Sequence, residues 1–326
     1  MSFIEVKNLQ KTFKVPIKEK GKFGALRSFF NRKYKHIHAI DDISFSIKKG
    51  EIVGYIGPNG AGKSTTIKIL SGILVPTSGS VLVDKMVPWK QRKEYVREIG
   101  VVFGQRSQLW WDIPAIDSFN LLKDIYKLDE KEYQKTLNEL INLLNLKEII
   151  NIPVRQLSLG SRMRCEIAAS LLHKPKILFL DEPTIGLDAV SKKIVRDFIK
   201  KINKKEKVTV ILTTHDMQDI ASLAKRIILI GKGKLLYDGS LENLKNKYDY
   251  YRKVTIITKD KIHIDKDYIV SETINKDNIE FILDIRKVEL SDFIKYISSK
   301  ISLIDIDVDN QNIDDLIVRL YEEYKI

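Results

Sequence analysis

The chain reads as a large α/β domain followed by a small α+β unit, and three observations lead there. Strand-like and helix-like patterns alternate from Met1 to about Leu241. One short apolar run, Ile52–Ile56, enters a glycine-rich loop at once, and another, Ile177–Leu180, ends in two acids. Beyond Asp238-Gly239, a turn signal, the pattern changes. It predicts strands at Lys253–Thr258 and Glu280–Ile285, a helix at Leu290–Ser299, a strand at Ser302–Val308 and a helix at Ile313–Tyr324. The expected organisation is a first domain over 1–241, a short helix and linker over 242–250, and an accessory domain over 251–326.

Within the first domain, about Pro114 to His173 is almost wholly helical. Tyr133, Leu137, Leu140, Ile141 and Leu144 recur at the spacing of one amphipathic helix face. No internal repeat or low-complexity segment interrupts the pattern.

Composition narrows the class. The 326 residues are 44% hydrophobic and 30% charged, the balance of a globular protein with a real core. The longest apolar runs have the length of buried strands, far short of a membrane span. The start, Met1–Gln10, reads as a charged strand without the apolar run of a signal peptide. A single cysteine, Cys165, excludes an internal disulfide framework and suits a reducing cytoplasm. The net charge of +13 is uneven: residues 11–38 carry nine Lys/Arg against Glu19 alone, whereas 251–326 carry twelve Lys/Arg and sixteen Asp/Glu. The basic block suits an anionic lipid surface or nucleic acid, or is simply a solvated loop. Within it, Phe23, Leu26, Phe29 and Phe30 lie at helix-compatible spacing beside Arg27, Arg32 and Lys33, so Lys20–Tyr34 reads as a basic amphipathic insertion.

The loop after Ile52–Ile56 is Gly57-Pro58-Asn59-Gly60-Ala61-Gly62-Lys63-Ser64-Thr65, a G-x-x-x-x-G-K-S run between strand and helix. Its glycines let backbone N–H groups curl around β- and γ-phosphates, and the helix opening at Lys63 aims its positive end at them. Lys63 adds a point charge, and the Ser64 hydroxyl is a ligand for Mg²⁺. Two acids after an apolar strand often mark only a solvated strand end. With a phosphate loop upstream, Asp181 is expected to hold Mg²⁺ through its water shell and Glu182 to orient or deprotonate the attacking water.

Between these motifs, Leu157-Ser158-Leu159-Gly160-Ser161 resembles the LSGGQ signature of ABC ATPases, with Leu159 for the first glycine and Ser161 for glutamine. The resemblance covers roughly residues 3–240 and implies a P-loop NTPase fold of the ABC type, with an antiparallel β subdomain and an α-helical subdomain. It implies roles for further residues. Ser158 and Gly160 would touch the γ-phosphate across a dimer. Gln105 resembles the Q-loop glutamine that reaches Mg²⁺ and the attacking water. Gly186-Leu187-Asp188 resembles the D-loop that crosses the dimer interface. His215 resembles the switch histidine that hydrogen-bonds the γ-phosphate. Phe13 sits where an aromatic stacks on adenine. The stretch Val101–Ile113 and the C-terminal appendage are similar to ATPases of type-2 ABC exporters.

The resemblance thus implies ATP and Mg²⁺ as cofactors and a homodimer clamping two ATP molecules head to tail. It also implies one or two integral membrane permease partners and a peripheral position on the cytoplasmic face of the cell membrane. The competing function is a soluble ABC ATPase acting on nucleic acid or ribosomes. One cassette without sustained heptads argues against that partner. After the Q-loop position come Leu109-Trp110-Trp111, of which at least one tryptophan is expected to be partly exposed as an anchor for the permease.

Overall fold

A computed structural model describes residues 2–17, 34–104, 106–248, 250–260, 262–275, 278–310 and 313–324. The basic insertion read at Lys20–Tyr34 lies outside the described residues apart from Tyr34. The chain divides into two compact units, Met1–Gly239 and Ser240–Ile326.

Among the described residues, the strands of the first unit are β1 (Ile4–Pro16), β2 (Tyr34–Ile47), β3 (Ile52–Ile56), β4 (Ser78–Val83), β5 (Ile99–Phe103), β6 (Ile177–Asp181), β7 (Thr209–Thr213), β8 (Arg226–Gly231) and β9 (Lys234–Ser240). β1, β2 and β4 form an antiparallel sheet in the order β2-β1-β4. The others form a six-stranded sheet in the order β5-β6-β7-β3-β8-β9, in which β5, β6, β7, β3 and β8 are parallel. Strands covered on both faces read as continuous apolar runs, and Ile177–Leu180 and Val210–Leu212 are buried throughout. Because neighbouring strands run the same way, their carboxyl ends share one edge of the sheet, where ligands bind in open α/β folds.

The helical segment expected at 114–173 consists of Ala115–Tyr126, Glu130–Leu143 and Leu159–Ala169, with a 3₁₀ turn at Val154–Gln156. Asp129 caps the second helix by accepting from the N–H groups of Lys131 and Glu132 at 3.0 and 3.1 Å. Its inner face carries Tyr133, Thr136, Leu137 and Leu140, and Tyr133 donates its hydroxyl to Asn120 Oδ1 at 2.9 Å. Ala189–Glu206 buries Val195, Phe198, Ile199 and Ile202, and Lys204 and Lys205 oppose the dipole in its last turn.

The second unit is an antiparallel sheet in the order β11-β12-β10-β13, from β10 (Tyr251–Ile257), β11 (Ile269–Ile274), β12 (Asn278–Asp284) and β13 (Asp305–Asn310). Helix Leu290–Ser298 lays Phe293 and Ile297 on Val254, Ile256, Phe281 and Leu283. Phe281 meets Phe293 edge-on at 5.5 Å between ring centroids. The structure departs from expectation in three places. β11 went unread because it is an edge strand whose side chains are all partly or fully exposed, so no buried stripe marks it. β13 begins at Asp305, not Ser302, because Ser302 is drawn into a turn by Asp260 and Thr258. The short helix expected at Leu241–Lys247 is present as Leu241–Tyr248, but it falls within the second unit instead of forming a linker before it.

With separate cores, Phe281→Ala is expected to destabilise the second unit alone by roughly 3–5 kcal/mol. Calorimetry of the full chain should show one transition moving down while that of the first unit stays in place. A shift of both transitions together would contradict separate cores.

Candidate functional site

Three adjacent parallel strands end in register, Phe103 beside Asp181 and Asp181 beside Thr213. One residue further on lie Gly104, Glu182 and Thr214. β3, the neighbour of β7, runs out at Ile56 into the phosphate loop. Four segments distant in sequence therefore converge at one sheet edge.

Gly62 stands immediately before helix Lys63–Leu70 with φ 107°, a left-handed conformation open to glycine, and a Cβ there would run into the Ala39 carbonyl. Lys63 is 6% exposed and folds back into the loop, with Nζ donating to Gly57 O at 2.6 Å and Pro58 O at 3.1 Å. Burial holds the Lys63 ammonium below the usual lysine range, against the opposing pull of Glu182 and Asp181. In the same loop Ala61 is buried, Thr65 half-buried, and Asn59 and Gly60 exposed.

Ser64 Oγ donates to Asp181 Oδ1 at 3.3 Å, and Thr213 Oγ1 donates to the same oxygen at 2.6 Å. Glu182 adopts φ 57°, which costs a non-glycine residue about 1–2 kcal/mol. Its N–H is held by Thr213, at 3.0 Å from the carbonyl and 3.1 Å from the hydroxyl. Its carboxylate meets His215 Nε2 at 3.0 Å, and that nitrogen lies 3.4 Å from Lys63 Nζ. The structure thus brings together Lys63, Ser64, Asp181, Glu182 and His215. Ser64, Lys68, Phe103, Arg106, Asp181 and Glu182 line a cleft of about 280 Å³ beside them.

Other expected residues lie apart from this cluster. Phe13 is half-buried on the antiparallel sheet opposite Ile37, with Lys11 Nζ 5.3 Å from its ring centroid. Ser158 is exposed and caps helix Leu159–Ala169 by accepting from Ser161 N–H at 3.2 Å. A Cβ on Gly160 would collide with the Ser191 hydroxyl. Ser191 in turn donates to Asp188 from its N–H at 2.9 Å and from its hydroxyl at 2.7 Å, so Asp188 caps helix Ala189–Glu206. These two hydrogen bonds hold the Asp188 carboxyl below its ordinary range. Gln105 lies outside the described residues; next to it, Gly104 N–H donates to Asp181 O at 2.8 Å.

Several residues escaped sequence reasoning. Thr213 anchors both acids although only its neighbour His215 was singled out. Glu166, on the signature helix, is 3% exposed and accepts from the Ser107 hydroxyl and, at 3.1 Å, from Gln108 N–H, while Gln108 Nε2 donates to Glu166 O at 2.9 Å. A lone acid in the small, apolar stretch Cys165–Ala169 was the available signal. Burial pushes the Glu166 carboxyl up. Cys165 beside it is buried, and desolvation pushes its thiol up to about 12, as suits plain packing. Leu109 is buried, whereas Trp110 and Trp111 are 43% and 50% exposed, so both tryptophans reach the surface. Among the described residues no helix is long and apolar enough to cross a membrane.

The strand–loop–helix with its buried lysine, placed beside a strand ending in two acids, defines a P-loop nucleotide-binding protein. Residues 40–185 match the ABC transporter family. The ABC transporter ATP-binding protein NatA of Bacillus subtilis (strain 168) is 35% identical over 215 residues, covering 66% of this chain and 87% of that protein. A probable sulfate/thiosulfate import ATP-binding protein, CysA of Chlorella vulgaris, is 34% identical over 216 residues, 66% of this chain and 91% of that one. Other curated relatives are longer, and the chain spans as little as 26% of their length. Among solved structures, the dimeric post-hydrolysis state of the ATP-binding cassette MJ0796 bound to ADP and Pi superposes with a TM-score of 0.61 at 28% identity, over 73% of this chain and 98% of that chain. The chain belongs to the ATP-binding proteins of ABC transporters, and its first unit has the P-loop ABC ATPase fold.

The raised Glu166 carboxyl carries a pH signature. A folded pKa above the unfolded value means that the native state holds the proton longer, so stability falls as pH rises from about 4.5 through the folded value. Glu166→Gln removes this titration. Denaturant melts at several pH values should show the wild type losing ground to the variant as pH rises, and a constant gap would contradict the burial argument.

Proposed function

We propose that this chain is the Mg²⁺-dependent ATP-hydrolysing subunit of an ABC exporter, acting as a homodimer against a separate membrane permease on the cytoplasmic face of the cell membrane. The observation that carries the reading is the convergence of Lys63, Ser64, Asp181, Glu182 and His215 at one sheet edge, where Ser64 meets Asp181 and His215 meets both Lys63 and Glu182.

Each residue then has a task. The backbone of Gly57–Thr65 cradles the β- and γ-phosphates, and Lys63, now satisfied by two loop carbonyls, exchanges them for phosphate oxygens. Ser64 Oγ and Asp181 Oδ1, 3.3 Å apart, are the hard oxygen donors that suit Mg²⁺, with Gln105 completing the set. Held there, Mg²⁺ would neutralise the negative charge that develops on the phosphates. Glu182 orients or deprotonates the attacking water, and His215, 3.0 Å from that carboxylate, hydrogen-bonds the γ-phosphate. Phe13 offers its ring to adenine.

Ser158, Gly160 and Asp188 stand apart from this cluster within the chain, which suits a role on a partner's nucleotide. Ser158 caps a helix whose N-terminus, exposed and positive, is built to meet phosphate. The permease reading draws on Trp110 and Trp111, both exposed, and on Leu121 and Ile125, exposed on the first helix of the helical segment. A cleft of about 160 Å³ lined by Ile73, Val96, Leu122, Tyr126 and His173, among others, offers a place for a permease segment. The exporter direction follows the similarity of Val101–Ile113 to type-2 exporter ATPases.

Glu182→Gln should abolish turnover while ATP stays bound, because an amide cannot take the proton, whereas Lys63→Ala should weaken binding itself. Single-turnover hydrolysis and equilibrium nucleotide binding check both, and wild-type turnover by the glutamine variant would sink the assignment. Trp110→Ala or Trp111→Ala should weaken permease binding by roughly 2 kcal/mol or more. The subunit's own ATPase should change little. A pull-down with the permease beside a thermal melt is the measurement, and a falling melting temperature with unchanged permease affinity would give the tryptophans a structural role instead.

A further inference from the structure

Asp219 is a fully buried carboxylate, 0% exposed, on helix Met217–Leu223, and the motifs assign it nothing. Its partners come from three places in the chain. Oδ2 accepts from the hydroxyl of Thr184, two residues beyond Glu182, and at 3.1 Å from that of Thr214, the residue before His215. Oδ1 accepts from Arg196 Nε at 2.5 Å, on helix Ala189–Glu206, whose cap is Asp188. The Thr214 hydroxyl also accepts from Asp216 N–H at 3.0 Å, and Asp216 pairs with Lys192 at 2.6 Å and Arg196 at 3.3 Å. One carboxylate oxygen therefore staples the loop after β6 to the loop after β7, and its partner oxygen ties both to the helix after Asp188.

We infer that Asp219 is a positioning residue for hydrolysis: through Thr184 and Thr214 it holds Glu182 and His215 at contact distance. This rests on the hydrolytic reading above and deepens it. Glu182 sits in a left-handed conformation that its own backbone disfavours. Such a residue keeps its geometry only where surrounding bonds over-determine it. On the strand side Thr213 holds the Glu182 N–H. On the loop side the restraints are the Ile185 N–H, 3.4 Å from the Glu182 carbonyl, and Thr184, fixed by Asp219. His215 is fixed the same way through Thr214. With the staple released, Glu182 relaxes toward the right-handed region and its carboxylate leaves the 3.0 Å contact with His215. The phosphate loop meets His215 through Lys63 Nζ at 3.4 Å but is bonded to none of Thr184, Thr214 and Asp219, and its own backbone N–H groups and helix end keep their grip on nucleotide. A buried and fully satisfied polar network specifies one geometry because any rearrangement leaves a buried charge unpaired.

The experiment compares the full-length wild type with Thr184→Val, Thr184→Ser and Asp219→Asn, measuring kcat and KM for Mg-ATP together with a thermal melt. Valine keeps the shape of threonine and removes only the hydroxyl, so it tests the staple even if Asp219→Asn fails to fold. Thr184→Val should lower kcat at least tenfold with KM for ATP within twofold, and Asp219→Asn should do the same or more. Thr184→Ser, which retains the hydroxyl, should restore kcat to within threefold of wild type. A kcat within twofold of wild type for Thr184→Val overturns the inference. So does a loss that serine shares, which would assign the effect to methyl packing, or a rise in KM that matches the fall in kcat. Wild-type protein that does not hydrolyse ATP overturns the hydrolytic reading along with this one, whereas active wild type with an indifferent Thr184→Val overturns this one alone.

Discussion

Asp181 pairs in parallel register with Phe103 on one side and Thr213 on the other, and most of the site hangs on that alignment. Parallel pairing sends neighbouring chains off the same edge of the sheet. The alignment puts Glu182, Thr214 and the segment after Phe103 at one level, and β3 delivers the phosphate loop beside them. A slip of one residue would turn Asp181 from Ser64 toward the opposite face. The core of Leu178, Leu180, Val210 and Leu212, all 0% exposed, resists that slip because moving any of these side chains out of register exposes it.

Upon that frame the chain places charge where helix ends and burial can support it. Gly62 opens one helix toward the cleft, and Ser158 and Asp188 cap two others. Two buried acids of the first unit show how charge is held inside. Asp219 faces Arg196 and two hydroxyls, and Glu166 faces Ser107 and Gln108. Each buried acid bridges segments far apart in sequence, and each would be costly to orphan. Helix Leu159–Ala169 is thereby tied to the loop that presents Trp110 and Trp111, so the two surfaces proposed to meet partners share one internal anchor.

The second unit follows different physics. Its sheet is antiparallel and packs on helix Leu290–Ser298 through Val254, Phe281 and Phe293, and β10 and β12 alternate buried with partly exposed positions. The cluster at Lys63, Glu182 and His215 belongs to the first unit. Its acidic balance, against a basic stretch near the start of the chain, keeps the two units electrostatically distinct.

Sequence alone determined the chemistry-bearing loops and most element boundaries, because these depend on local rules. Only glycine tolerates the turn at Gly62, apolar runs become buried strands, and Ser, Thr and Asp cap helices. It also determined the first unit's fold, since G-x-x-x-x-G-K-S after an apolar strand has few structural settings. Tertiary structure decided what depends on contacts between distant segments. The edge strand β11 has no buried stripe to betray it, and the start of β13 is fixed by Asp260, far away in sequence. Threonines such as Thr184 and Thr213 look like ordinary strand and loop residues until folding sets them against Asp219 and Asp181. A hydroxyl carries no periodic signal; its role is set by the carboxylate that the fold brings to it.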